Sequence, residues 1–293
     1  MSDADAGIEA AIRSAWKIAP ESVRAHAGGM NSRTWHVTAG DRRWVAKAVP
    51  ADAGARFTSG LAVAGIVDAA GIPAGAPEPT PVGRTWIAMD DHVLALLRFV
   101  GGEALVGDEP DEQRLMGTTL ARAHQALIGS QVRDAGTFHW LDIDAPHLDV
   151  EPWVRPAVRQ AMEAYEALPP ARLTIGLLHT DPAPEAFLLD RGTGVCGLID
   201  WDTGLVGPLM YDVASAVMYL GGAEYAEAFL AAYLAFGILA PAEIERSLNT
   251  MLRLRWAVQA DYFARRLATN DLTGIADADE NQRGLDDARR AIG

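Results

Sequence analysis

The chain has 293 residues, a formal net charge of −14 and 49% hydrophobic residues, the composition of an ordinary globular protein of one large or two modest domains. Its acidity argues against nucleic acid as a partner, and one cysteine, Cys196, excludes a disulfide framework and a multi-cysteine metal cluster. Neither a basic-then-apolar leader nor an uncharged apolar stretch of about 18 residues is present, so no membrane association is expected and the cytoplasm is the default location.

In chain order, Ile8, Ala11, Ile12, Ala15 and Trp16 recur at helical spacing and predict a helix from about Ala4 to Lys17. Arg33 to Thr38 and Arg43 to Val49 read as two strands of a hairpin, and Phe57 to Ala70 as a helix stopped by Gly71 and Pro73. Two more strands are expected at Thr85 to Met89 and His92 to Val100, turned by Asp90-Asp91. Gly101-Gly102 then breaks the pattern and reads as a hinge. Beyond Asp108, helices are expected at Glu109 to Leu127, Pro156 to Ala167, Met210 to Tyr219, Tyr225 to Phe236 and Pro241 to Leu267. Only residues 175–200 look strand-like there. The layout is α+β, with a small antiparallel-sheet lobe over residues 1–100 and a larger, mainly helical lobe over 101–293. A ligand is expected between them.

Two apolar runs end in carboxylates, Leu177-Leu178-His179-Thr180-Asp181 and Leu198-Ile199-Asp200-Trp201-Asp202. An unpaired buried carboxylate costs several kcal/mol, so such endings suggest acids delivered to a shared cleft. Asp181 is expected to accept or orient a substrate hydroxyl proton as general base, and Asp200 to hold Mg²⁺ on nucleotide phosphates. Asp202 shares a face with Asp200 only if the strand continues through Trp201. His179 is expected to buttress its loop, and Asp212 to cap a helix or brace a loop. Lysine occurs only at 17 and 47. Lys47 sits on a face with Val45 and Val49, where a point cation is useful if it reaches a phosphate; snorkelling to solvent is the alternative. Upstream, Ala27-Gly28-Gly29-Met30-Asn31-Ser32 can present backbone N–H groups to an anion.

The net charge favours a cationic ligand through long-range steering, or serves solubility alone. Residues 134–153 carry Asp134, Asp142, Asp144, Asp149 and Glu151 and no Lys or Arg, with Trp140 and Trp153 among them. Acids beside aromatic rings suit an amine-rich ligand, and equally describe a solvated acidic loop.

On His179-Thr180-Asp181, Ile199-Asp200-Trp201-Asp202 and the run Gly207 to Ala214, the whole chain resembles the aminoglycoside phosphotransferase and choline kinase family, relatives of the protein kinases. The resemblance implies a bilobal protein-kinase-like fold, ATP or GTP as phosphoryl donor, and Mg²⁺. It implies nucleotide clamped by Lys47 under a loop containing Gly28, Gly29, Asn31 and Ser32, with the base against Leu97, Arg98, Phe99 and Val100. The acceptor is expected against the larger lobe, with Asp202, Asp144, Trp140, Asp261 and Glu280 as contact residues; a choline kinase would need an aromatic cage, for which Trp140, Trp153, Trp256 and Tyr262 are the candidates.

Three positions depart from the family pattern. Thr180 replaces the glycine of His-Gly-Asp. Ala186 replaces a metal-binding Asn, leaving neighbouring Glu185 as the substitute ligand. The helix from Phe57 has no Glu to pair with Lys47; Thr58 or Gly60 stands there. The expected function is O-phosphorylation of a small cationic molecule, an aminoglycoside or basic cyclic peptide antibiotic, conferring resistance. A kinase for choline, homoserine or a sugar, and a non-catalytic protein that binds nucleotide or a cationic compound, are the other readings.

Overall fold

The computed structural model describes residues 3–26, 30–138, 141–275, 277 and 279–293; Gly28, Gly29 and Trp140 lie outside the described residues. The first part contains helix α1 (Asp3–Ala15), strands β1 (Ser22–His26), β2 (Arg33–Ala39) and β3 (Arg42–Pro50), helix α2 (Gly54–Ala69), and strands β4 (Ile87–Met89) and β5 (His92–Arg98). The strands form one antiparallel sheet in the order β1-β2-β3-β5-β4. Pleating gives that sheet two faces. Trp35, Val37, Trp44, Ala46, Leu94 and Leu96 pack under Ile8 and Ile12 of α1 and Trp16 just beyond it. The spacing of these three is one helical stripe. On the opposite face Val49, Val93 and Ala95 receive Phe57 and Leu61 of α2, and Lys47 alternates onto that side.

The second part holds β6 (Glu103–Ala104), α3 (Pro110–Leu127), β7 (Gly136–Thr137), α4 (Val154–Glu166), β8 (Ile175–Leu178), β9 (Phe187–Asp190), β10 (Val195–Leu198), β11 (Leu205–Pro208), α5 (Met210–Tyr219), α6 (Glu227–Leu234), α7 (Pro241–Ala268) and α8 (Asp279–Ile292). Two three-stranded sheets, β10-β9-β6 and β7-β11-β8, are embedded among these helices. They fix the two acid-bearing segments, because His179 to Asp181 follow the end of β8 and Ile199 to Asp202 follow the end of β10. The large core joins α3, α5, α6 and α7 to Val63, Ala64 and Val67 of α2, so α2 packs on both lobes.

Strand β1, helix α8 and the short strands β6, β7 and β11 go beyond the elements expected from the sequence. The Gly101-Gly102 segment is not a loose pivot. At Gly102 φ is +138°, a Cβ would meet the Leu189 carbonyl carbon at 2.8 Å, and Glu103 already pairs with Leu189. Cys196 is buried, and burial raises its thiol pKa. No helix among the described residues is long and apolar enough to cross a membrane.

Candidate active site

Lys47 is 4% exposed, and its ammonium needs counter-charges at that depth. It donates to Asp200 Oδ1 at 3.1 Å and also to Asp202 Oδ1. Burial alone would lower the lysine pKa; the Asp202 and Asp200 carboxylates outweigh it and raise it, while Lys47 holds Asp200 below the usual carboxylate range. The strand does not continue through Trp201. β10 stops at Leu198, Asp200 takes φ +68°, and Asp202 N–H donates to Asp200 O at 2.9 Å. That tight turn, rather than strand alternation, brings both acids to one ammonium. Asp202, expected at the acceptor, therefore stands on Lys47.

The same contact answers the missing helix glutamate. A Cβ on Gly60 would come within 2.1 Å of Trp201 O, and one on Gly204 within 2.4 Å of Ser59 Cβ. Helix α2 lies so close to the 201–204 segment that no long side chain fits between them. The segment carries the acid instead.

Asp212, at the start of α5, is fully buried and accepts from His179 N–H at 2.7 Å, Thr180 N–H at 2.8 Å and His124 Nε2–H at 3.0 Å. It braces the turn that carries Asp181, as a buried carboxylate with several donors must. Thr180 adopts φ +78°, a conformation that glycine takes freely and a β-branched residue takes rarely. Its N–H bond to Asp212 and a 3.0 Å hydroxyl contact with Thr203 hold it there. His179 joins the two acid segments. A carbonyl can only accept, so Nε2–H donates to Ile199 O at 2.8 Å and Nδ1 accepts Asp181 N–H at 3.3 Å. Trp201 packs its ring edge-on against this imidazole at 4.6 Å.

The Asp181 side chain is 59% exposed and accepts from Tyr219 Oη at 2.7 Å and from Arg255 Nη2 at 2.8 Å. Sequence reasoning missed both donors. A signal existed for Arg255, a charge on the apolar stripe of Ile244, Leu248 and Met251 along α7. Burial raises the Tyr219 phenol pKa, so the hydroxyl stays a donor at neutral pH.

Glu185 is exposed on the short turn Pro184–Ala186, and Ala186 contributes only its carbonyl, which accepts Ile199 N–H at 2.9 Å. Among the described residues no cluster of three or more His, Cys, Asp or Glu is arranged to hold a metal ion. At the loop that follows β1, Tyr262 Oη donates to Asn31 Oδ1 at 3.0 Å and Arg266 Nη1 to Met30 O at 3.4 Å, both from α7; Ser32 lies next to them. Phe99 lies under the Arg43 guanidinium at 4.1 Å and 6.1 Å from the His36 ring, with Val100 next to it. The Arg98 side chain, expected at the nucleotide base, is taken up by Asp68 at 3.3 Å and Glu78 at 3.7 Å.

Asp144 is exposed in a turn with Asp142, and Arg155, bonded to Asp149 at 2.8 Å, feels both of those acids as well. The acidic stretch thus has its own cation from α4. Asp261 pairs with His147 at 2.7 Å and is largely covered, and Glu280 lies half-buried at the start of α8. Trp153 and Trp256 pack on the α4–α7–α8 core, whereas Tyr262 reaches the loop after β1.

Known structures share this fold from end to end. Amicoumacin kinase hAmiN, solved with AMP-PNP, Ca²⁺ and Ami, superposes with a TM-score of 0.77 at 16% identity, covering 99% of this chain and 93% of that one. A microcompartment-associated aminopropanol kinase gives 0.76 at 16% identity over 98% and 95%, and choline kinase LicA from Streptococcus pneumoniae 0.72 at 15% over 99% and 99%. These likenesses define a bilobal, protein-kinase-like α+β fold. In sequence, 156 residues are 28% identical to a homoserine kinase of Rhizobium johnstonii (strain DSM 114642 / LMG 32736 / 3841), so the match spans 50% of this chain and about half, 48%, of that relative. Residues 22–245 match the model of the phosphotransferase enzyme family (APH), and the chain belongs to that family.

Proposed function

We propose that this chain transfers the γ-phosphoryl group of ATP or GTP to a hydroxyl of a small, amine-bearing molecule. One observation carries the reading: the imidazole of His179 ties the backbone of Asp181 to that of Ile199, next to Asp200, while Asp200 reaches the buried Lys47. A proton acceptor, a metal-binding acid and a phosphate-binding cation are thereby fixed in one unit. Such positioning supplies most of the catalysis in phosphoryl transfer.

The donor set suits Mg²⁺, which takes one or two carboxylates and keeps its other positions for phosphate oxygens and water. Asp200, with 64% of its side chain exposed, and Glu185, exposed on its turn, are the carboxylates that would hold it. Bound there, the ion neutralises charge on the nucleotide phosphates. Lys47 reaches the phosphates while Asp202 holds it, and Asn31 and Ser32, with Gly28 and Gly29, are the residues expected to cover them. Phe99 and Val100, with the Arg98 backbone, lie along the segment expected to meet the nucleotide base. Asp181 aligns the acceptor hydroxyl and takes its proton as the oxygen–phosphorus bond forms. The residues 1–100 and 101–293 are read as the nucleotide-binding and acceptor-binding lobes.

For the acceptor, the charge of −14 and neighbours named for aminopropanol and choline, both amine- or ammonium-bearing alcohols, favour a cation. An aminoglycoside or basic peptide antibiotic, with resistance as the outcome, is the preferred member of that class. The homoserine kinase relative favours a second reading, a small amino alcohol or amino acid metabolite. The test is ADP release with Mg²⁺ and ATP or GTP across 1-aminopropan-2-ol, choline, homoserine, spectinomycin, an aminoglycoside and capreomycin. Turnover on the antibiotics and not on the metabolites is the expected result. Nucleotide binding without turnover on any acceptor would leave a binding protein.

A further inference from the structure

The two donors on Asp181 fall on the same oxygen. Tyr219 Oη–H and Arg255 Nη2–H both reach Oδ1, at 2.7 and 2.8 Å. Arg255 is anchored behind it, through Nε to Ser215 Oγ at 3.0 Å and Nη2 to Tyr219 Oη at 2.9 Å. The guanidinium is 6% exposed, so its charge is held out of water largely for the sake of Asp181. An apolar residue of similar volume would fill that place at lower electrostatic cost. Oδ2 has no hydrogen-bond partner among the described residues, and the carboxylate remains open to the cleft.

We infer that Arg255 and Tyr219 are positioning residues that lock the Asp181 carboxylate by Oδ1 and present Oδ2 alone to the acceptor hydroxyl. In a loose phosphoryl-transfer transition state the hydroxyl keeps its proton until late, so alignment counts for more than proton affinity. The arrangement fixes the direction of attack. A misplacement of about 1 Å in such a group costs about 10²-fold in rate.

The inference rests on Asp181 as the base, and Asp181→Asn is the control that separates the two. Turnover is measured with Mg²⁺-ATP on the best acceptor of the panel above and with water as acceptor. Arg255→Met is expected to lower kcat about 10²-fold while the KM for ATP stays within about threefold. Tyr219→Phe, which removes only the hydroxyl, is expected to lower it several-fold. In Arg255→Ala, added guanidinium ion is expected to restore turnover, which a purely structural defect would not allow. Both single variants within threefold of the parent kcat, with Asp181→Asn inactive, would overturn the positioning role alone. So would loss of activity in Arg255→Ala that guanidinium leaves unchanged. Retained turnover in Asp181→Asn would remove the base itself.

Discussion

The energetics of Lys47 hinge on which carboxylate holds it. Its ammonium is almost fully enclosed, whereas the Asp200 and Asp202 side chains are 64% and 40% exposed. The lysine bears the desolvation and the acids offset it from the wetter side. In the proposed mechanism Asp200 has a second task at the metal, which leaves Asp202 as the acid free to keep Lys47 in place while nucleotide is bound. Asp202→Ala removes one charge-assisted bond, worth about 1.5–3 kcal/mol, and leaves Asp200 as the sole partner. Nucleotide affinity in the presence of Mg²⁺ is expected to fall about tenfold, read by calorimetric titration with a non-hydrolysable ATP analogue. Tighter binding would mean that Asp202 competes with the phosphates for Lys47. This role was out of reach of sequence reasoning because strand alternation was the only geometry it had for the run through Trp201. The left-handed turn at Asp200 breaks that alternation. The bracing roles expected of His179 and Asp212, by contrast, are the ones their hydrogen bonds show.

At the scale of elements, helix α2 and the 201–204 segment form one packed unit. Gly60 and Gly204 are where their backbones touch, and each is small for a local steric reason. Gly60→Ala forces a methyl toward Trp201 O, a backbone atom that cannot swing aside. Overpacking of this kind costs about 1–3 kcal/mol, and the Asp200–Asp202 turn absorbs the shift. The expected outcome is a melting temperature lower by about 5 °C together with weaker nucleotide binding. A variant that melts and binds like the parent would show that the segment yields without disturbing its acids. Periodicity made α1, α2, the β2–β3 hairpin and most helices legible to within a few residues. It did not reveal α8, an amphipathic helix whose buried positions Asn281, Gly284 and Ala288 carry little hydrophobic signal. Nor did it reveal that Trp153 and Trp256 pack on the core, since an aromatic residue reads alike in a cage and in a core.

Across the whole molecule, side chains link the two lobes at two places. Lys47 crosses to Asp200 and Asp202, and Tyr262 and Arg266 of α7 hold Asn31 and Met30 of the loop after β1. Arg266 also binds Asn281, Asp271 and Thr273 O, at 2.8, 3.1 and 2.7 Å, so a single buried guanidinium ties α7, α8 and that loop together. Helix α7 thus runs from Arg255, which contacts Asp181, to Tyr262 and Arg266, which contact the loop after β1. The acidic segment singled out in sequence is satisfied by Arg155. Composition counts charges, and only the fold shows which of them meet. The central claim is that Asp200 serves the metal and nucleotide while Asp181 serves only the transfer. Titration of a non-hydrolysable ATP analogue with Mg²⁺ into the parent chain, Asp200→Ala and Asp181→Asn tests it most directly. The account predicts at least about tenfold weaker binding for Asp200→Ala and parent-like binding for Asp181→Asn; parent-like binding by Asp200→Ala would contradict it.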